Sequence, residues 1–285
     1  MTGYKNFAEV GVDWAGPGYF ATLLSAADLG KLPASERVLW SAWQDRLLEA
    51  KRGDFRRIIE LVDIYGRTES WRLGDACAGL LGDAGTAACL RHMADRSGKP
   101  SDAIINFTMQ IEFACAFATA GVLAFLPMIV ETYREYHRLD DADILPFAVS
   151  HMLEPSLEEF AEPKAYPSLE DYCAAVLDRH AELSTRLGPR AIVFRGEIFS
   201  VRRLARAVLD EVVHGKLDLW HRQQFEASTG IETAQFYKGD RLQPLTAAAI
   251  VEDFLASPAA AQYVDGARYF FGRRIPESAV QISRQ

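Results

Sequence analysis

Apolar residues recur along most of this chain at the three-to-four spacing of a helix face. Val38, Leu39, Ala42, Trp43 and Leu47 predict a first helix with Ser35 as its N-cap, and Gly53-Asp54 predicts its end. Phe55, Ile58, Ile59, Val62 and Tyr65 form the next stripe, closed by Gly66. Trp71 to Leu81 and Asp83 to Asp95 predict a helix pair. Gly98-Lys99-Pro100 then separates that pair from the stretch around which the chain is organised.

Within that stretch, residues 113 to 130 are eighteen consecutive uncharged positions between Glu112 and Glu131. A membrane span needs about 20 apolar residues, but this run is rich in Ala and holds Thr119, Gly121 and Pro127. Two short buried helices divided at Gly121 are expected instead. The run also repeats weakly. Gly85, Ala88 and Leu90 lie 36 positions before Gly121, Ala124 and Leu126, and Leu81, Phe117 and Leu153 align at the same offset. A period near 36 with two helices per unit predicts a HEAT-like α-solenoid.

Asp140-Asp141-Ala142-Asp143 precedes the apolar stretch Ile144 to Leu153. Acids there would bond the free N–H groups of a helix start and favour its positive end. Pro146 suits the first turn and Pro155 a stop. Residues 154 to 167 are acidic with three prolines and read as a link. Ser168-Leu169-Glu170-Asp171 opens a helix with Tyr172, Cys173, Val176, Leu177, His180 and Leu187 on one face, ended by Gly188-Pro189. Ala191 to Phe199 predicts a small hairpin or an extended link. Ser200 would cap an amphipathic helix carrying Val201, Leu204, Val208 and Val212. From Leu219 aromatics and glycines increase, Thr246 to Leu255 predicts a helix, and Phe270 and Phe271 read as core. The expected architecture is mainly α. It comprises a lead-in over 1–34, HEAT-like helical repeats over 35–155, an acidic link over 156–167, a smaller mostly helical part over 168–276 and a tail over 277–285.

Composition changes this picture only at the level of partners. Apolar residues at 49 % and charged residues at 25 % are ordinary for a soluble globular chain. No basic segment followed by an apolar one opens the sequence, so no secretory signal is read. The four cysteines form no C-x-x-C pair and sit in apolar helical patterns. A reducing cytoplasm, without disulfides or zinc, is expected. The net charge of −8 is local: between Glu131 and Asp171 eleven acids face three bases, so the remainder balances. Such a field repels nucleic acid and attracts basic partners. The candidate partner-binding residues are Asp140, Asp141, Asp143, Glu154, Glu158, Glu159 and Glu162. Arg268, Tyr269 and Arg273 join them as the arginine and aromatic types enriched in interface anchors.

Catalytic motifs are missing from the sequence: G-x-S-x-G, the phosphate loop G-x-x-x-x-G-K-[ST] and G-x-G-x-x-G do not occur. None of the six histidines stands in H-E-x-x-H. His214 and His221, seven apart with Asp218 between, are weak as a ligand pair. His180 with Cys173 reads as core, and the Asp140 cluster as a helix cap. No catalytic residue, cofactor or metal is assigned, and no membrane contact is expected.

The helical front half, the closure Ile144-Leu-Pro-Phe-Ala-Val-Ser-His-Met-Leu-Glu-Pro155 and the acidic link resemble immunity proteins of bacterial polymorphic-toxin systems. So do Phe225 to Ile231, Gln243 to Leu245, Ala249 to Leu255 and Arg268 to Pro276. The resemblance spans about residues 35 to 276. It implies a cytoplasmic protein that binds and silences a cognate toxin, with no catalytic residues. The charge suggests a basic toxin. The alternatives are an enzyme on a helical scaffold, such as a DNA glycosylase of the HEAT-like type, or a general protein-binding scaffold. Net acidity counts against the glycosylase, which needs a basic groove.

Overall fold

The periodic stretches fold as helices. The computed structural model describes residues 24–97, 107–154, 159–239 and 241–277. The front half contains α1 (Ala26–Lys31), α2 (Ala34–Lys51), α3 (Glu60–Arg67), α4 (Trp71–Ala84), α5 (Ala87–Ser97), α6 (Phe107–Ala120), α7 (Leu126–Tyr136) and α8 (Ile144–Leu153). Then come α9 (Leu169–Leu187), α10 (Val201–Val213), α11 (Leu219–Thr229) and α12 (Pro244–Ala256). Among the described residues three hairpins of two-residue strands interrupt them: β1–β2 (Val193–Phe194, Glu197–Ile198), β3–β4 (Tyr237–Lys238, Arg241–Leu242) and β5–β6 (Tyr269–Phe270, Arg273–Arg274). The protein is thus mainly helical with a few short antiparallel strand pairs.

One expected N-cap moves, and two others hold the N-cap position without a side-chain bond. Pro33, not Ser35, takes the N-cap of α2, because the helix opens two residues earlier. Neither Asp143 before α8 nor Ser200 before α10 makes a side-chain cap bond. The acids 140–143 form a 3₁₀ turn of their own, so their electrostatic effect on α8 comes without capping geometry. Ser168 does cap α9, accepting from the Asp171 N–H at 3.1 Å. Helix α5 starts later than Asp83, behind Thr86, whose hydroxyl accepts from Cys89 N–H. Pro155 and Glu158 lie outside the described residues.

The uncharged run is two helices, α6 and α7, as its composition implies. Gly121 stands at the break with φ +69°, and a Cβ there would lie 2.7 Å from Val193 O. Backbone bonds Val193 N–H to Gly121 O and Leu123 N–H to Ala191 O seat the β1–β2 hairpin against this break. Helix α6 packs most extensively on α4 and also touches α7 and α8. No helix among the described residues is long and apolar enough to cross a membrane.

Two apolar clusters result. The larger runs through α2 to α9 and includes Trp40, Trp43, Phe113 and Phe117. The smaller joins Phe194 and Phe199 to α10, Phe225 and α12. They are interlocked: Tyr172, Cys173, Val176 and Leu183 of α9, with Trp220, Phe270 and Ile275, belong to the larger one. The described part of the acidic link is also anchored, since Phe160 is buried and its carbonyl accepts from the Tyr172 hydroxyl at 3.1 Å.

Candidate functional site

Helices α4, α6 and α11 and the turn before α8 converge on a cleft of 570 Å³. Close approach of α4 to α6 makes this possible: a Cβ at Gly82 would sit 3.0 Å from Thr119 Cβ and 3.1 Å from Ala116 Cα. The cleft is lined by the indoles of Trp71 and Trp220 and by four carboxylates, Asp75, Asp83, Glu112 and Asp140. Among the described residues lining it there is no Lys, Arg or His. Trp71 is exposed, whereas Trp220 is buried. The Tyr65 hydroxyl bonds the Glu112 carboxylate and is raised far above the usual phenol range, first by burial and then by that charge. Cys115, also in the wall, is pushed up by burial, then by Glu112 and Asp75.

Behind Trp220 lies a buried chain of polar side chains. Asp218 caps α11 by accepting from Trp220 N–H at 2.8 Å and His221 N–H at 3.4 Å with one carboxylate oxygen. Its other oxygen stands 3.3 Å from His151 Nε2. That contact is not aligned as a hydrogen bond, and Nε2 has no other bonding partner. The second nitrogen of His151 is 2.6 Å from His221 Nε2, and His221 Nδ1 is 2.6 Å from Glu211 Oε1. Arg195 also donates to Glu211, at 2.6 Å, and the Asp218 N–H does so at 3.1 Å.

The β1–β2 hairpin supplies Arg195. Its turn, Arg195-Gly196, has positive φ at both positions (50° and 72°), as a two-residue hairpin of this hand requires. Arg195 N–H and Gly196 N–H donate to His151 O and Met152 O, each at 2.8 Å, so the turn caps the C-terminus of α8. The rings are fixed by packing. Trp220 stacks on His151 (5.5 Å between centroids), while the edges of Phe147 and Phe194 meet His151 and His221.

Burial lowers His151 from the usual imidazole range, with Asp218 opposing. Burial alone would raise Asp218, but the His151 contact and then the backbone N–H of Trp220 hold it at about 2. The two directions pull against each other, because a cationic His151 would help Asp218 at its own desolvation cost. We take the ionised Asp218 as the firmer of the two, since amide donors hold it whatever His151 carries.

The structure scatters the sequence candidates. Asp140 lines the cleft. Asp143, Glu159 and Glu162 are exposed elsewhere on the chain. Glu154 is buried, and its carboxylate accepts the Glu159 and Phe160 N–H groups, so it closes a loop. The side chain of Asp141 and all of Glu158 lie outside the described residues. Arg268 is turned inward, donating to Gly85 O at 2.6 Å and to Gly82 O. Tyr269 is buried and its hydroxyl accepts from Val264 N–H, whereas Arg273 is exposed. Sequence reasoning missed Asp75, Asp83, Glu112, Trp71 and Trp220 as cleft residues. It also set His151, His221 and Asp218 aside. A signal was present in Asp218-Leu-Trp-His221: an Asp before an apolar-aromatic helix start is an N-cap, which turns its carboxylate towards the first helical turn.

Comparison with models of protein families, with curated proteins and with solved structures finds no match to this chain.

Proposed function

We propose that the chain is a stoichiometric binding protein that captures a basic protein partner, and that the acidic cleft receives a lysine or arginine side chain of that partner. One observation carries the reading: four carboxylates and two indoles face a single concavity with no base among its described lining. An ammonium or guanidinium gains from carboxylates by charge-assisted bonds and from an indole face by cation–π attraction, as the chain's own Arg72 does 5.4 Å over the Trp71 ring. The resemblance to immunity proteins supplies the partner class, a basic toxin met in the cytoplasm. In this reading the helices over 35–155 act as a HEAT-like repeat whose hollow side holds the cleft. The four free cysteines agree with a reducing compartment.

The test uses an arginine-rich peptide titrated calorimetrically, beside an acidic peptide of equal length. Binding of the basic peptide, weakened by salt and lost in the double variant Asp75→Asn, Glu112→Gln, supports the proposal. Equal binding by that variant, or no preference for the basic peptide, rejects the cleft. Co-expression with a basic toxin candidate encoded beside the gene tests the immunity reading. Equal survival with and without the protein rejects it for that toxin.

A further inference from the structure

The His151–His221 chain points to a cation that the cleft does not explain. Glu211 accepts from three groups, one of them His221 Nδ1, so the proton of a neutral His221 sits on Nδ1. Its Nε2 is then an acceptor, and His151 must donate from Nδ1 across the 2.6 Å contact. A neutral His151 is left with a bare lone pair on Nε2. That atom is buried, has no hydrogen-bond partner, and faces Asp218 Oδ2 at 3.3 Å. Two acceptors held face to face repel each other, and a cation between them reverses the sign.

The spacing identifies the kind of cation. Two ligands with bonds of about 2.0–2.1 Å at tetrahedral zinc stand about 3.3 Å apart. Among the described residues, His151, Asp218 and His221 are the one group of metal-ligating side chains drawn this close, with ligand atoms within 4.8 Å of one another. Imidazole with a carboxylate suits zinc, cobalt, nickel or copper better than magnesium or calcium. We propose that His151 Nε2 and Asp218 Oδ2 bind a divalent transition-metal ion of the zinc class. His221 is the residue that orients His151, and water or a partner's group fills the remaining positions. His221 orients His151 rather than ligating, because its Nε2 is engaged by His151 Nδ1 and its Nδ1 by Glu211, each at 2.6 Å. The order Glu211–His221–His151–metal is the outer-shell pattern that fixes a ligating imidazole. The proposal stands independently of what occupies the cleft.

Cobalt(II) titration of the chelator-treated full chain tests it. One saturable equivalent with visible d–d absorption, displaced by zinc, is expected. His151→Gln and Asp218→Asn should abolish it. His221→Gln should keep the site but weaken it by about 10–100-fold, the usual cost of losing an outer-shell partner. The exposed His214→Gln should leave it unchanged. Wild-type histidine nitrogen NMR covers the case in which a variant fails to fold: zinc should shift His151 Nε2 far more than His221 Nε2. No saturable cobalt band, binding unaffected by His151→Gln, or a zinc shift confined to other histidines overturns the proposal.

Discussion

Arg268→Ala asks whether the C-terminal segment is a strut or a contact surface. In the fold its guanidinium donates to Gly85 O and Gly82 O at the end of α4, beside Asp83. Burial pulls its pKa down to about 10, with Asp83 opposing. Hydrogen bonds to a charged donor contribute about 1.5–3 kcal/mol each. Removing one partner of a buried charged set costs about 3–5 kcal/mol. We expect a loss in that range, a large fraction of the roughly 5–15 kcal/mol that holds a typical domain. With a urea slope of about 3 kcal/mol/M, the midpoint should fall by about 1–2 M at unchanged slope. Arg268→Lys keeps the charge but cannot fork to two carbonyls, so about half the loss is expected. Arg273→Ala, at an exposed position, should stay within about 0.5 kcal/mol. A shift for Arg268→Ala no larger than that of Arg273→Ala would refute the strut and return Arg268 to the surface.

Gly196→Val places a branched side chain at φ +72°, where a Cβ would lie 2.8 Å from Leu153 O. It should cost at least about 1–3 kcal/mol in thermal or urea unfolding and raise hydrogen exchange of the Arg195 amide. A neutral outcome would mean that the hairpin does not dock on α8. Burial raises the thiols of Cys77, Cys89 and Cys115, that of Cys89 to about 12. A disulfide reagent at pH 8 should therefore find no fast thiol among these three until the chain is unfolded, and one reacting at the free-thiol rate would contradict the packing. The same shifts fix a sign. Above pH 9 the unfolded chain ionises these thiols and the folded one does not, so stability falls as pH rises, by up to about 1.4 kcal/mol per unit per thiol. Urea midpoints at pH 8 and pH 10 measure it, and a rise with pH would be the wrong sign.

How much of this was legible depends on how local each cause is. The helix stripes were readable because their apolar spacing is set within a turn or two, as at Leu39, Trp43 and Leu47, all buried. Gly121 was readable as a break because few other residues could stand there at positive φ so near Val193 O. Caps were less readable, since Ser35 and Ser200 have the right chemistry but not the geometry that their neighbours impose. The site was nearly invisible. Its charge comes from two acids on α4, one on α6 and one before α8, brought together by packing at Gly82, and only Asp140 of them lies in the run 131–171 that looked acidic. Likewise His221 was weighed against His214, its neighbour in sequence, which turns out exposed and bound to its own helix at Asp210 O. Its true partner is His151, 70 positions away, delivered by a hairpin that caps α8. A formal charge count along the chain therefore locates solvated acids such as Glu159 and Glu162, whereas a concave acidic site requires convergence of elements that no local window contains.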